Sequence, residues 1–296
     1  MFHGLRTLVL LALLNALLFG VGYFFNGETG LIFAIVIAFV LNFSMYFYSD
    51  KIALAAYKAV PLSQDEYPEI YEIVTELSSR ANIPMPKLWL VKSDMANAFA
   101  TGRNPEHASV AVTTGILSIL TKDELRAVLA HELAHVVNRD ILITTIAAVV
   151  AAGISILADI IRMKVYWGGS SRDKKDSFWG LMLAVIFAPM IAALLQLAIS
   201  RTREYSADET GCQLSSSPLE LASALQKLQD YSASGRSPEM KDSYVNNALA
   251  PLFFTSPFKV KKTKTWGSWF AEFFSTHPDI NSRINKLTNM AAKIRK

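Results

Sequence analysis

The sequence predicts an α+β, predominantly helical integral membrane protein, with an N-terminal transmembrane hairpin and a second hydrophobic hairpin that interrupts the domain following it. Three observations carry this expectation: long apolar runs without charge, short β-prone segments set between amphipathic helices, and two histidines spaced by one helical turn beside a glutamate. The composition agrees, since 52% hydrophobic and 18% charged residues with a mean hydropathy of +0.28 are unusual for a soluble chain.

Residues 1–50 form the first hairpin. Thr7 to Phe25 and Leu31 to Tyr48 lack charge, and each is about long enough to cross ~30 Å of hydrocarbon, with Asn26-Gly27-Glu28-Thr29-Gly30 as the turn. A cleaved signal peptide is the competing reading of the first run, but a second apolar run follows at once and no convincing small-residue cleavage site separates the two, which favours an uncleaved anchor. Arg6 precedes the first span, the turn has no Lys or Arg, and Lys51 and Lys58 follow the second. The positive-inside rule therefore puts both flanks, and the domain that follows, in the cytoplasm. A single cysteine, Cys212, excludes a disulfide framework within the chain and reads as a small buried side chain.

Residues 51–140 read as the first part of that domain. Ser63 and Glu66 have the spacing to cap a helix that turns Ile70, Ile73, Val74 and Leu77 inward. Pro86 to Lys92 and Ala108 to Thr113 read as strands, with Asn97 to Thr101 between them in sequence, which gives a small sheet. Thr121 and Glu124 have capping-box spacing, and Leu125, Val128, Leu129, Leu133 and Val136 follow at helical intervals, so a helix is expected over about 122–138.

That helix carries His131-Glu132-Leu133-Ala134-His135. His131 and His135 project to one side, where two imidazoles can grip a metal, and Glu132 on the rim is placed to take a proton from a water that the metal polarises. A metal held by two histidines needs a third protein ligand and an open position. With five histidines and one cysteine in the chain, a carboxylate is the expected donor. The segment Arg201-Thr202-Arg203-Glu204-Tyr205-Ser206-Ala207-Asp208 offers Glu204 and Asp208 four apart, one able to ligate and the other to accept an imidazole N–H, while Tyr205 reads as packing.

Residues 141–200 contain two more apolar runs, Ile141 to Ala158 and Phe178 to Ser200, the latter with Pro189 inside it. Their length favours a crossing hairpin. Arg162, Lys164, Arg172, Lys174 and Lys175 in the connecting loop instead favour a hairpin lying shallowly against headgroups. If the flanking helices were continuous, His135 and Glu204 would hold a metal within roughly 10 Å of the membrane boundary, which points to membrane proteins or their cytoplasmic loops as substrates. Residues 201–296 complete the catalytic domain: Tyr231 to Thr276 reads as loop with short helical pieces over the cleft, and Ile280, Ile284 and Leu287 mark a last helix. The basic stretch Lys259 to Lys264 suits a headgroup-facing or solvated surface, and no nucleic-acid partner is expected.

On these motifs the chain resembles the HtpX family of membrane-bound zinc metalloproteases, gluzincins with a zincin-like catalytic domain. The resemblance rests on His131 to His135 followed by Arg203 to Asp208, on Asn97-Ala98-Phe99-Ala100-Thr101-Gly102, on the apolar N-terminal hairpin and internal insert, and on Thr276-His277-Pro278. It implies one Zn²⁺ per chain held by His131, His135 and Glu204, with Glu132 as base and proton donor and Asp208 orienting a ligating imidazole. It further implies that Asn97, Ala98, Phe99 and Ala100 form an edge strand that pairs with substrate backbone, and that His277 donates to the oxyanion. The chain departs from the family in reading Pro278-Asp279 where two prolines are expected. The implied role is quality control of bacterial inner-membrane proteins under stress, with membrane-protein or unfolded polypeptide substrates, the bilayer, and other membrane quality-control proteases as partners. A zinc-binding adaptor or chaperone without catalysis would keep the ligands but not need Glu132. A prenyl-protein peptidase would carry more spans than these four runs.

Overall fold

Apolar, charge-free sequence becomes helix at once. Helix α1 runs Phe2–Ala56 and is broken at Asn26 (φ −147°, ψ 29°) and Gly27 (φ 54°, ψ −138°), so it is two helices joined by a tight turn. Gly27 sits in a left-handed conformation that a residue with a Cβ adopts at a cost. The second arm returns along the first: Asn42 Nδ2 donates to Asn15 Oδ1 at 2.9 Å, and Gly22 and Gly30 approach so closely that neither has room for a Cβ. The computed structural model describes residues 2–147, 149, 201–234 and 280–294. Among these, Asn26–Ala56 is one helix long and apolar enough to cross a membrane. Among the described residues little packs on its flanks, with Phe39 71% exposed and Phe33, Val36, Val40 and Phe43 also exposed, an apolar surface suited to lipid rather than to water.

A four-stranded sheet follows, in the order β1-β2-β4-β3, with β1 Val60–Pro61, β2 Lys87–Val91, β3 Ala98–Gly102 and β4 Ala108–Thr113. Strands β2 and β4 are parallel (Leu88 opposite Val110), whereas β3 lies antiparallel to β4 (Ala100 opposite Val110) and forms one edge. Alternation sends Leu88, Leu90, Ala98, Ala100, Val110 and Val112 to the main core and Trp89, Val91, Phe99 and Ala111 to the other face. That second face is covered by the end of α1: Ala53 and Leu54 pack there, and the Tyr57 ring lies 4.8 Å from that of Phe99. The membrane helix is thus seated directly on the sheet.

Helices build the inner layer. Helix α2 (Pro68–Arg80) turns Ile70, Ile73, Val74 and Leu77 inward as its spacing predicts, but Ser63 does not cap it. The Glu66 N–H does reach Ser63 Oγ at 3.4 Å, yet this closes only a turn. Pro68 stands at the start of α2 and disfavours helical backbone at Tyr67, so the helix begins after that turn. Helix α3 is Thr114–Ile119 and α4 is Lys122–Val137. The capping box of α4 is present, with Thr121 N donating to Glu124 Oε2 at 2.8 Å. Ser223 Oγ and Lys227 Nζ also donate to Glu124, at 2.7 and 2.8 Å, tying α4 to a later helix.

That later helix is α6 (Pro218–Ala233), preceded by α5 (Arg201–Ser215) and followed by α7 (Ile280–Ile294). Leu221, Leu225, Leu228, Cys212 and Leu287 from these helices close the core over α4. The contact between α5 and α4 depends on Gly211, where an added Cβ would meet His131 Cα at 2.9 Å. A Gly211→Val variant is expected to push α5 off α4, lowering stability by about 1–3 kcal/mol. It should also weaken metal binding, because Glu204 rides on α5; chelator competition against the parent checks this.

The third apolar run does not continue α4. Arg139 takes φ 58° and reverses the chain, so the expectation of continuous helices from His135 into the run is corrected. Residues 141–147 are helical, with Ile141, Ile143, Thr145, Ile146 and Ala147 buried. Most of the second hairpin, including 178–200, and the loop expected from Tyr231 to Thr276, apart from its first residues, lie outside the described residues.

Candidate metal centre

The two histidines of α4 converge as their spacing requires: His131 Nε2 and His135 Nε2 lie 3.2 Å apart. Helix α5 brings Glu204 to the same point, with carboxylate oxygens 3.8 Å from each Nε2, and the three donors all lie within 4.8 Å of one another. Four-coordinate zinc with Zn–N near 2.0–2.1 Å places its ligands about 3.3 Å apart, so the donor set has the right size.

Both imidazoles are held from behind. His131 Nδ1 lies 3.0 Å from Asp208 Oδ1, the role that the spacing from Glu204 left open to Asp208. His135 Nδ1 lies 3.5 Å from Asp140 Oδ2, a residue that the sequence reading passed over. Local backbone explains its position. Asp140 N donates to His135 O at 2.9 Å and Arg139 N to Val136 O at 3.1 Å, the paired bonds of a Schellman motif with Arg139 at the left-handed position that glycine usually fills. The turn folds Asp140 back beneath His135, and Asp140 O then accepts from Thr144 N at 3.3 Å to open the next helix. An Asp140→Asn variant is expected to lower metal affinity about 10- to 100-fold, read by chelator competition, because a carboxylate that orients a ligand is lost.

Two buried guanidiniums support the carboxylates. Arg283 of α7 grips Asp208 with two bonds of 2.9 and 2.6 Å and reaches Glu204 at 3.3 Å. Arg203 Nε lies 3.9 Å from Asp140. Burial works against the charge of Asp208, yet Arg283 and His131 hold it down at about 2. Burial pushes Glu132 up to about 7. It lowers His131, whereas Asp140, Glu204 and Glu132 overcome burial at His135 and hold it up at about 9. Among the described residues, buried Glu132, Asp140, Glu204 and Asp208 against Arg203 and Arg283 leave a formal charge of −2 when all four carboxyls are ionised and the imidazoles neutral. A divalent cation balances that charge, so both geometry and electrostatics fit a metal.

Glu132 faces β3. Its Oε2 accepts the Ala100 N–H at 2.9 Å. Thr113 N donates to Asn97 O, so strand alternation turns the N–H and C=O groups of Ala98 and Ala100 away from β4, toward the open edge beside the metal site. Among the described residues, Ala98, Phe99 and Ala100 thus lie on an edge strand, with Asn97 directly before it. Tyr205 packs under Lys286, whose Nζ lies 4.7 Å above the ring. His277 lies outside the described residues. Arg283 carried no local signal, standing 75 residues from Asp208, whereas Asp140 was legible as the residue after an αL stop, had Arg139 been a glycine.

Residues 64–291 match the model of peptidase family M48. A "Protease HtpX homolog" of Syntrophobacter fumaroxidans is 48% identical, the alignment covering 96% of this chain and 98% of that protein. Another, of Pyrococcus furiosus, is 45% identical over 98% of this chain and 96% of its own length. Among solved structures, that of S. mikatae Ste24p superposes with a TM-score of 0.52 at 20% identity, over 95% of this chain and 64% of that one. That likeness is one of fold, and this chain spans a little under two thirds of that protein.

Proposed function

Since the chain belongs to peptidase family M48 and is a membrane-associated metalloprotease, we propose that it is a zinc-dependent endopeptidase that cleaves misfolded or damaged membrane proteins at the cytoplasmic membrane. One observation carries this reading: His131, His135 and Glu204 converge beside Glu132, and Glu132 faces β3 at the edge of the described sheet. Two imidazoles and a carboxylate suit zinc, which when bound supplies a Lewis acid for the scissile carbonyl. The chain's own groups do the rest. Ala98 offers its backbone N–H and C=O and Ala100 its C=O to an extended substrate, as in strand addition, while the Ala100 N–H is held by Glu132. Glu132 takes the proton from the attacking water and delivers it to the leaving amine. Asp208 and Asp140 fix the two imidazoles, and His277 is the proposed donor to the oxyanion.

The charge pattern around α1 supports a multi-pass topology with the catalytic domain in the cytoplasm. In that setting unfolded membrane polypeptides are the substrates within reach, and other membrane quality-control proteases are the fitting partners. Cleavage of an unfolded membrane protein by the purified full chain tests the reading. Activity is expected to vanish on chelation and to return with zinc ahead of other divalent ions. Metal retention without cleavage would favour a zinc-binding adaptor; cleavage that survives full metal removal would overturn the mechanism.

A further inference from the structure

The rings at the end of the apolar stretch of α1 do not stand alone. The Arg103 guanidinium rests over Phe47 at 5.0 Å and Tyr46 at 5.9 Å, and Lys51 Nζ lies 5.1 Å over Tyr48. These aromatic residues close a stretch without charge that ends at Asp50 and Lys51, where a spanning helix meets headgroups and where Trp, Tyr and cations concentrate. Arg103 does not come from α1. It follows β3, in a loop whose shape is fixed: Gly102 takes φ +143°, a Cβ there would meet His107 O at 2.3 Å, and Asn104 Oδ1 lies 2.8 Å from His107 Nδ1.

Two contacts then set the direction of β3. Phe99 meets α1 at Tyr57, and Arg103 meets it at Phe47. The ten residues between those positions on the helix span about 15 Å. The four on the strand side span about 13 Å. Strand β3 therefore runs alongside α1, antiparallel to it, with its Gly102 end toward the apolar segment.

We infer that the loop from Arg103 to His107 is a membrane-surface contact, in which Arg103, at the same end of the apolar stretch as Lys51, takes the phosphate of anionic phospholipid headgroups. This deepens the proposed function and rests on its reading of α1 as a membrane span. The contact sets β3 along the membrane normal. Ala100 then lies three residues, about 10 Å, beyond the headgroups. A substrate strand paired with β3 leaves the bilayer end-on and reaches Glu132 within its first few exposed residues.

Full-length protein in nanodiscs tests this, with a fluorophore on Glu106→Cys in a Cys212→Ala background. The discs hold phosphatidylcholine alone or with phosphatidylglycerol, and a trace of lipid with a quencher on its headgroup. Quenching is expected to rise at least twofold with phosphatidylglycerol, to fall back in Arg103→Gln, and to persist in Arg103→Lys. A second label, on Phe39→Cys, reports a quencher placed in the acyl chains. If the Phe39 label is quenched and the Glu106 label is not, or if phosphatidylglycerol and Arg103→Gln leave the Glu106 signal unchanged, the inference is overturned while the span stands. An unquenched Phe39 label would overturn the span reading and this inference with it.

Discussion

Replacing Glu132 by Gln is expected to slow peptide cleavage by about a thousandfold, in the range that a lost general base costs, without changing the metal content. Glu132 is not among the three converging donors, so its loss should leave metal stoichiometry intact. Its Oε2 accepts the Ala100 N–H, and a glutamine amide oxygen can keep that bond, so β3 should stay in place. What disappears is a group that can accept a proton. Single-turnover cleavage beside elemental analysis separates the outcomes. Unchanged cleavage would remove Glu132 from the mechanism, and loss of metal would make its role structural.

The second large effect is expected at Arg283. It is 1% exposed and binds both Asp208 and Glu204, so Arg283→Met strands two carboxylates in a low-dielectric interior. Removing one partner of a buried pair costs about 3–5 kcal/mol, which denaturant unfolding of the metal-free protein should report. Metal affinity should also fall about 10- to 100-fold, since Asp208 would no longer be held against His131. The test of mechanism is a double-mutant cycle. Asp208→Asn combined with Arg283→Met should cost clearly less than the sum of the single changes, because each then removes the charge the other left unpaired. Additive losses would mean that Arg283 acts through packing alone.

Much of the site was legible because its signals are local. The spacing of His131 and His135 places both on one helical face, and Thr121 with Glu124 marks where that helix begins. Glu204 and Asp208 stand one turn apart on α5, and each found one of the two roles that the spacing offered: converging on the metal point and holding His131. The second ring of contacts was not legible in the same way. Arg283 reaches Asp208 across 75 residues. Asp140 depends on a Schellman turn with an arginine where glycine is the usual sign. Ser63 misled for a local reason: its spacing promised a cap, and Pro68 moved the helix start past it.

By itself the sequence determined the apolar hairpin with its Asn26-Gly27 break, three of the four strands (β1 was not read), the metal-binding helix and the donor types, since hydrophobic period, capping and glycine conformation act within a few residues. Only the tertiary structure decided that β4 separates β2 from β3, leaving β3 before Glu132 at the edge of the described sheet, and that the end of α1 seats on Phe99. It alone brought Arg283 and Arg203 to the buried carboxylates. Such pairings join segments far apart in the chain. They follow from which faces pack and which buried charges require a partner, and no local pattern encodes them.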